Sequence, residues 1–261
     1  MHWLYDVPDW ALGILVVGAT VALTVVLFIW TRRWRHAGTR FSNDAAGAVL
    51  NAVTLTYGII LALIAVASWD NYRAADTATE HEAAALLDLH RKVQGYPDPE
   101  RPRFEARLRT YINSLLTDEW PALRRDEMSE RTMHALDSLV HEWTVFAPDS
   151  RREALLQTST LNSMDALLTA RRERLAAGTA GLPGPLWVVV LVGAVITIGS
   201  MHVLRMENEG AHLLLTVSTA VMLGLVIFVI VVLDHPLWGT QGLGAEPIAD
   251  VSRIIIGGAG H

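Results

Sequence analysis

Cysteine is absent from the chain, which excludes disulfides, thiolate metal sites and cysteine nucleophiles together. A basic excess is missing too. With 21 Lys and Arg against 27 Asp and Glu, the formal charge is −6, whereas a general nucleic-acid binder needs a basic face to displace counterions from phosphates. There is no Ser-His-Asp elbow, HExxH pair or glycine-rich phosphate loop, so no enzymatic activity and no cofactor are expected. The most informative shortage is of charge in four long runs: residues 10–30, 45–69, 185–204 and 212–233 contain no Asp, Glu, Lys or Arg.

What the chain does contain is hydrocarbon. Of 261 residues, 51% are hydrophobic and 18% charged, apolar for a soluble protein of this size. Each uncharged run is about 20 residues or longer, enough at about 1.5 Å per residue to cross a hydrocarbon core of about 30 Å. The expectation is an all-α membrane protein with four transmembrane helices. Residues 1–69 hold helices 1 and 2 with a short basic loop, 70–184 form an extramembrane helical domain, 185–235 hold helices 3 and 4, and 236–261 form a C-terminal tail. The first run is expected to stay as an anchor and not to act as a signal peptide, because Asp6 and Asp9 precede it while Arg32, Arg33 and Arg35 follow. Those arginines, with Arg40, place the first loop in the cytoplasm, and both termini and the helical domain outside it, in a bacterial inner membrane. Arg171, Arg172 and Arg174, near the start of the third span, pull the other way.

Within 70–184 the pattern is helical. The first helix runs on to about residue 95, where GYPDPERP breaks it. Phe104, Leu108, Tyr111, Ile112, Leu115 and Leu116 make an apolar stripe that ends at EWP (119–121). Met133, Leu136, Leu139, Val140 and Trp143 mark a third helix, and Leu155, Leu161, Leu168 and Leu175 a fourth. About four helices should pack as a bundle.

NDAAG (43–47), YGIILAL from Tyr57, WDNY (69–72), HEAAAL around Glu82, EWP (119–121), LPGPLW (182–187) and LDHPLWG (233–239) occur in that order. In register with four spans, this order resembles the bacterial bestrophin-like domain family of four-span membrane proteins. The chain departs from the family at Leu237, where members usually carry Phe, and in the tail GTQGLGAEP, where they are more polar. The resemblance implies a likeness to bestrophin anion channels. It also implies a cytoplasmic bundle, opposite to the arginine count.

His81, with Glu80 and Glu82, and His90 suggest a metal cluster on paper, but at 100° per residue the two histidines lie about 180° apart on one helix. His134 and His141 share a face, yet no third ligand has suitable spacing, so an ordinary helix surface is expected for all four. Asp234 and His235 read either as a wet membrane exit, stopped by Pro236 and anchored by Trp238, or as a titratable rim at a pore mouth. No Asp, Glu, Lys or Arg lies inside any span and His202 sits at the end of the third, which argues against a proton relay.

The second span carries the sharper signal. Advancing about 100° per residue, Gly47, Asn51, Thr54, Gly58, Ala62 and Ala65 fall on one narrow face, with Asp44 and Trp69 at its ends. Tyr57 lies at its edge. Such a face is either a close-packing seam or, in a homo-oligomer, a ring of small and weakly polar groups around an ion path. Its rims would be Arg40 and Asp44, then Trp69, Asp70 and Asp76, with Asp234 and His235 beyond. The function expected is passive conduction of inorganic ions by a lipid-embedded homo-oligomer. The other reading is a membrane-anchored sensor or scaffold whose helical domain binds a partner.

Overall fold

The structure, a computed structural model, describes residues 8–34, 43–203, 208–238 and 242–257. They form nine α-helices and one π-helical turn, with no strand among the described residues. The helices are α1 (Asp9–Trp34), α2 (Asn43–Val93), α3 (Glu100–Ser114), α4 (Trp120–Leu123), α5 (Glu130–Thr144), α6 (Arg151–Thr179), α7 (Gly184–Met201), α8 (Glu209–Asp234) and α9 (Glu246–Gly257). The π-helical turn, Leu115–Glu119, joins α3 to α4. The described residues divide into two compact units, one within 8–70 and 181–234, the other within 71–180 and 235–257.

The first unit is the membrane unit. Four helices contain windows long and apolar enough to span a bilayer, and large aliphatic side chains such as Ile14, Leu55, Leu63 and Leu214 stand exposed on it. Those side chains have lipid for solvent, so their exposure costs nothing. Trp10 and Trp30 bracket α1 about 30 Å apart, the spacing of the two interfaces where indoles anchor. α1 lies along α8, and α7 packs on both. The approach is close because Gly224 has no side chain: a Cβ there would lie 2.9 Å from the Val17 Cα. Thr20 Oγ1 crosses the same contact to donate to Ala220 O at 3.0 Å. A core of Tyr57, Leu61 and Ile64 from α2 meets Val190, Ala194 and Ile198 from α7 and Ala220, Leu223, Ile227 and Ile230 from α8.

The second unit has its own core. Leu86, Leu89 and Val93 of α2, Phe104, Leu108, Tyr111 and Ile112 of α3, Leu139 and Trp143 of α5, and Leu167 of α6 are all at most 2% exposed. Tyr96, Phe104, Trp143 and Phe146 interlock there, with Phe104 stacked on Trp143 at 4.9 Å. Ser129 and Ser150 cap α5 and α6 by accepting from the N–H groups of Thr132 and Glu153. The C-terminal stretch set apart as a tail forms α9, whose Ile248, Val251 and Ile255 enter this core.

α2 and α6 run antiparallel, tied by polar side chains along their length. Asn71 donates to Ala177 O and Ala180 O. Glu82 meets Arg174, and Ser163 donates to Asp88 at 2.5 Å. Lys92 reaches Ser159 O at 2.9 Å and the Ser163 hydroxyl, and Tyr96 OH meets Thr160 at 3.1 Å. A slip of one turn would break every one of these contacts.

Three expectations change. Leu155 is 67% exposed and Met133 47% exposed, so neither belongs to the core. The buried face of α6 runs instead through Thr160, Ser163, Met164, Leu167, Ala170, Arg171, Arg174 and Gly178. EWP ends the apolar stripe but not the helical path: the π-helical turn closes on Glu119, α4 begins at Trp120, and Pro121 falls in its first turn, where a missing N–H is tolerated.

Candidate functional site

The lipid environment sorts the residues of α2. Tyr57, Leu61, Ile64 and Ser68 are buried within the unit, and Leu55, Ile59, Leu63 and Val66 stand exposed on the far side. Between these sectors lies the small and polar face. Asn51, Gly58 and Ala62 are exposed, while Gly47, Thr54 and Ala65 are half-buried. The exposed surface of α2 is therefore divided into a bulky apolar part suited to hydrocarbon and a narrow strip that is not. An amide such as that of Asn51 loses its hydrogen-bond partners in lipid, at a cost of a few kcal/mol, about 2–7 by transfer scales. Thr54 Oγ1 is enclosed and accepts or donates no hydrogen bond.

Tyr57, at the edge of the strip, is a packing residue. Its hydroxyl donates to Val190 O at 2.5 Å, and its ring lies where a Cβ on Gly193 would have to go.

The described rim residues are divided between the two units. Trp69 and Asp70 are exposed at the end of α2's share of the membrane unit, whereas Asp76 is exposed in the other unit. Arg40 and the side chain of Asp44 lie outside the described residues. Asp234 is only 5% exposed, and its Oδ1 accepts the Leu182 N–H at 2.5 Å. A carboxylate just ahead of the positive start of α7 is well placed there, so Asp234 ties the end of α8 to the entry of α7 instead of standing wet. His235 stacks on Trp238 at 3.6 Å in the helical unit.

His81, His134 and His141 are exposed and His90 is half-buried, and no group of three or more His, Asp or Glu among the described residues is placed to hold an ion. His202, just past the end of α7, is enclosed with His212 and Phe28, the three rings 5.8–6.1 Å apart.

The feature that sequence reasoning missed is a buried ion network in the helical unit. Glu82 and Arg174 are wholly buried, Glu119 is 1% exposed, and Arg171 is 7% exposed. Arg174 Nε donates to Glu82 at 2.5 Å, its Nη2 bridges to Glu119 at 2.5 Å, and Arg171 holds the other oxygen of Glu119. Burial opposes a charged guanidinium at 174, but Glu82 and Glu119 outweigh it and raise the Arg174 pKa. Tyr111 OH donates to Glu82 at 3.2 Å, and burial, reinforced by that carboxylate, pushes the phenol well above its usual value. The two carboxylates and two guanidiniums balance. The signal was present as Arg171 and Arg174 on the face shared with Leu167 and Gly178, where an amphipathic helix would be apolar.

The fold has counterparts of known structure. Variants of a bacterial bestrophin homologue from Klebsiella pneumoniae align with TM-scores of 0.71 at 14% identity, one over 95% of this chain and 99% of the other, a second over 98% and 99%. A third, at 13% identity over 94% and 99%, scores 0.69. No curated protein sequence matches the chain. The bestrophin-like domain model matches residues 14–248, nearly the whole length over which the seven motifs and four spans run, and the chain belongs to that family.

Proposed function

We propose that the protein conducts ions passively as a homo-oligomer, with the strip Gly47, Asn51, Thr54, Gly58, Ala62 and Ala65 facing a shared axis. The observation that carries this reading is the partial exposure of that strip beside the buried seam of α2: Asn51, Gly58 and Ala62 are left uncovered by their own subunit, and Gly47, Thr54 and Ala65 are only half-covered. Rotational assembly supplies what is missing, because each copy places the same residues around one axis and turns a weakly polar strip into rings. Small side chains leave room for an ion with part of its water, and Asn51 and Thr54 replace the rest of the hydration shell. The lining itself is uncharged, so selectivity belongs to the rims, where Asp70 and Asp76 favour cations and Arg40 favours anions.

Purified protein in liposomes should pass ions. Asn51→Leu and Thr54→Leu should each cut flux severalfold while the oligomer survives on size-exclusion chromatography. Normal flux in both variants rejects the lining. No flux from the intact protein leaves the anchor reading, which the separate core of the helical unit favours as a docking module.

A further inference from the structure

The buried network is a costly way to hold helices together, since two carboxylates and two guanidiniums must leave water. Replacing such a set by apolar residues is often neutral for stability, so its retention points to control of geometry. The geometry it controls can be followed atom by atom. Arg174 is gripped at Nε by Glu82 of α2 and at Nη2 by both Glu82 and Glu119, so the plane of its guanidinium cannot turn. That plane lies 4.5 Å from the ring of Trp120, the residue after Glu119. The π-helical turn makes this possible, because its extra residue per turn rotates the following positions and brings Glu119 and Trp120 inward as neighbours, 1% and 5% exposed. With its ring fixed, Trp120 aims its indole N–H at Leu243 O, 3.0 Å away.

Leu243 belongs to the segment that follows α8. Its own N–H donates to Pro236 O at 2.6 Å, which ties the two ends of the segment into one piece. Near the other end Leu237, 3% exposed, fills the notch left by Gly178, one helical turn beyond Arg174 on the same face of α6. From there the chain continues into α9 and its three core residues.

We propose that the Glu82–Arg174–Glu119–Arg171 network is a positioning device whose output is the seat of Trp120, and that this seat, with the Gly178 notch, clamps the C-terminal segments 236–238 and 242–257, the strap, onto the bundle. Conduction is not needed for the idea, and its test does not read conduction.

Hydrogen exchange on the full chain in detergent separates the possibilities. Trp120→Phe keeps a ring under Arg174 but removes the donor to Leu243. Amides of 242–257 should then exchange about five- to tenfold faster, as expected for one lost hydrogen bond, while α3 and α5 keep their protection. The charge-neutral pair Glu82→Leu with Arg174→Met should fold and loosen the strap to a similar degree, because it releases the ring plane without stranding a charge. Strap amides at wild-type rates in Trp120→Phe overturn the clamp. A double variant that folds with a tight strap, or does not fold at all, overturns the positioning role.

Discussion

Single side chains carry two of the strongest expectations. Glu82→Gln leaves Arg174, wholly buried, without its first carboxylate. Breaking a buried pair in this way costs about 3–5 kcal/mol, which denaturant unfolding in detergent, followed by tryptophan fluorescence, would register. Asp88 behaves differently because it is half-exposed. The Ser163 hydroxyl, then Lys92, hold its carboxyl below the usual range. A lowered folded-state pKa contributes stability that is present above the unfolded value of about 3.9 and is lost as pH falls through the folded value. The unfolding midpoint of the wild type should therefore drop on the acid side of about pH 4, and Ser163→Ala should start from a lower midpoint near neutrality, show a shallower drop and converge with the wild type in acid. At this scale the sequence was partly legible. Tyr57 at the edge of the strip could be placed by angle alone, but its partner Gly193 is 136 positions away, and only packing reveals that the ring fills a missing side chain.

Elements differ in how openly they declare themselves. α3 follows its apolar stripe, because Phe104, Leu108, Tyr111, Ile112 and Leu115 all face one core. α6 does not, because its inward face carries hydroxyls and guanidiniums whose partners sit on α2 and the π-helical turn. Its leucines mislead for the same reason: Leu155 points to solvent and Leu161 and Leu168 only flank the core. α9 was legible in its Ile248, Val251 and Ile255 spacing of three and four, yet a short helix after a glycine-rich stretch reads easily as a tail. Between elements, the α2–α7 contact rests on Gly193. Gly193→Ala should push the Tyr57 ring from its seat and destabilise the membrane unit by about 1–3 kcal/mol, the usual cost of overpacking. Tyr57→Phe should cost only about 1 kcal/mol, one hydrogen bond to Val190 O. Thermal unfolding of the two variants side by side distinguishes ring displacement from bond loss.

For the whole molecule, the four uncharged runs made the architecture plain, since few soluble helices exclude charge over such lengths. The strip on α2 was also visible as a periodic pattern. Its exposure could not be read, because the sequence does not say which face of a span meets its own subunit. Which side of the membrane holds the helical unit is a matter of competing arginines. Asp126→Cys decides it: position 126 is exposed, and the chain has no other cysteine to react. We expect a membrane-impermeant maleimide added to intact cells to label it, following the arginines of the first loop. Labelling only after lysis places the unit in the cytoplasm, as the bestrophin likeness implies.

The inward aliphatic side chains of α9 have a practical consequence for anyone trimming this protein. Cutting at residue 246 would strip away Ile248, Val251 and Ile255 and bare a greasy patch on the bundle where α3 had been covered. Shortened preparations should clump in detergent and lose spectroscopic uniformity, so purification handles belong beyond Gly257 or ahead of α1.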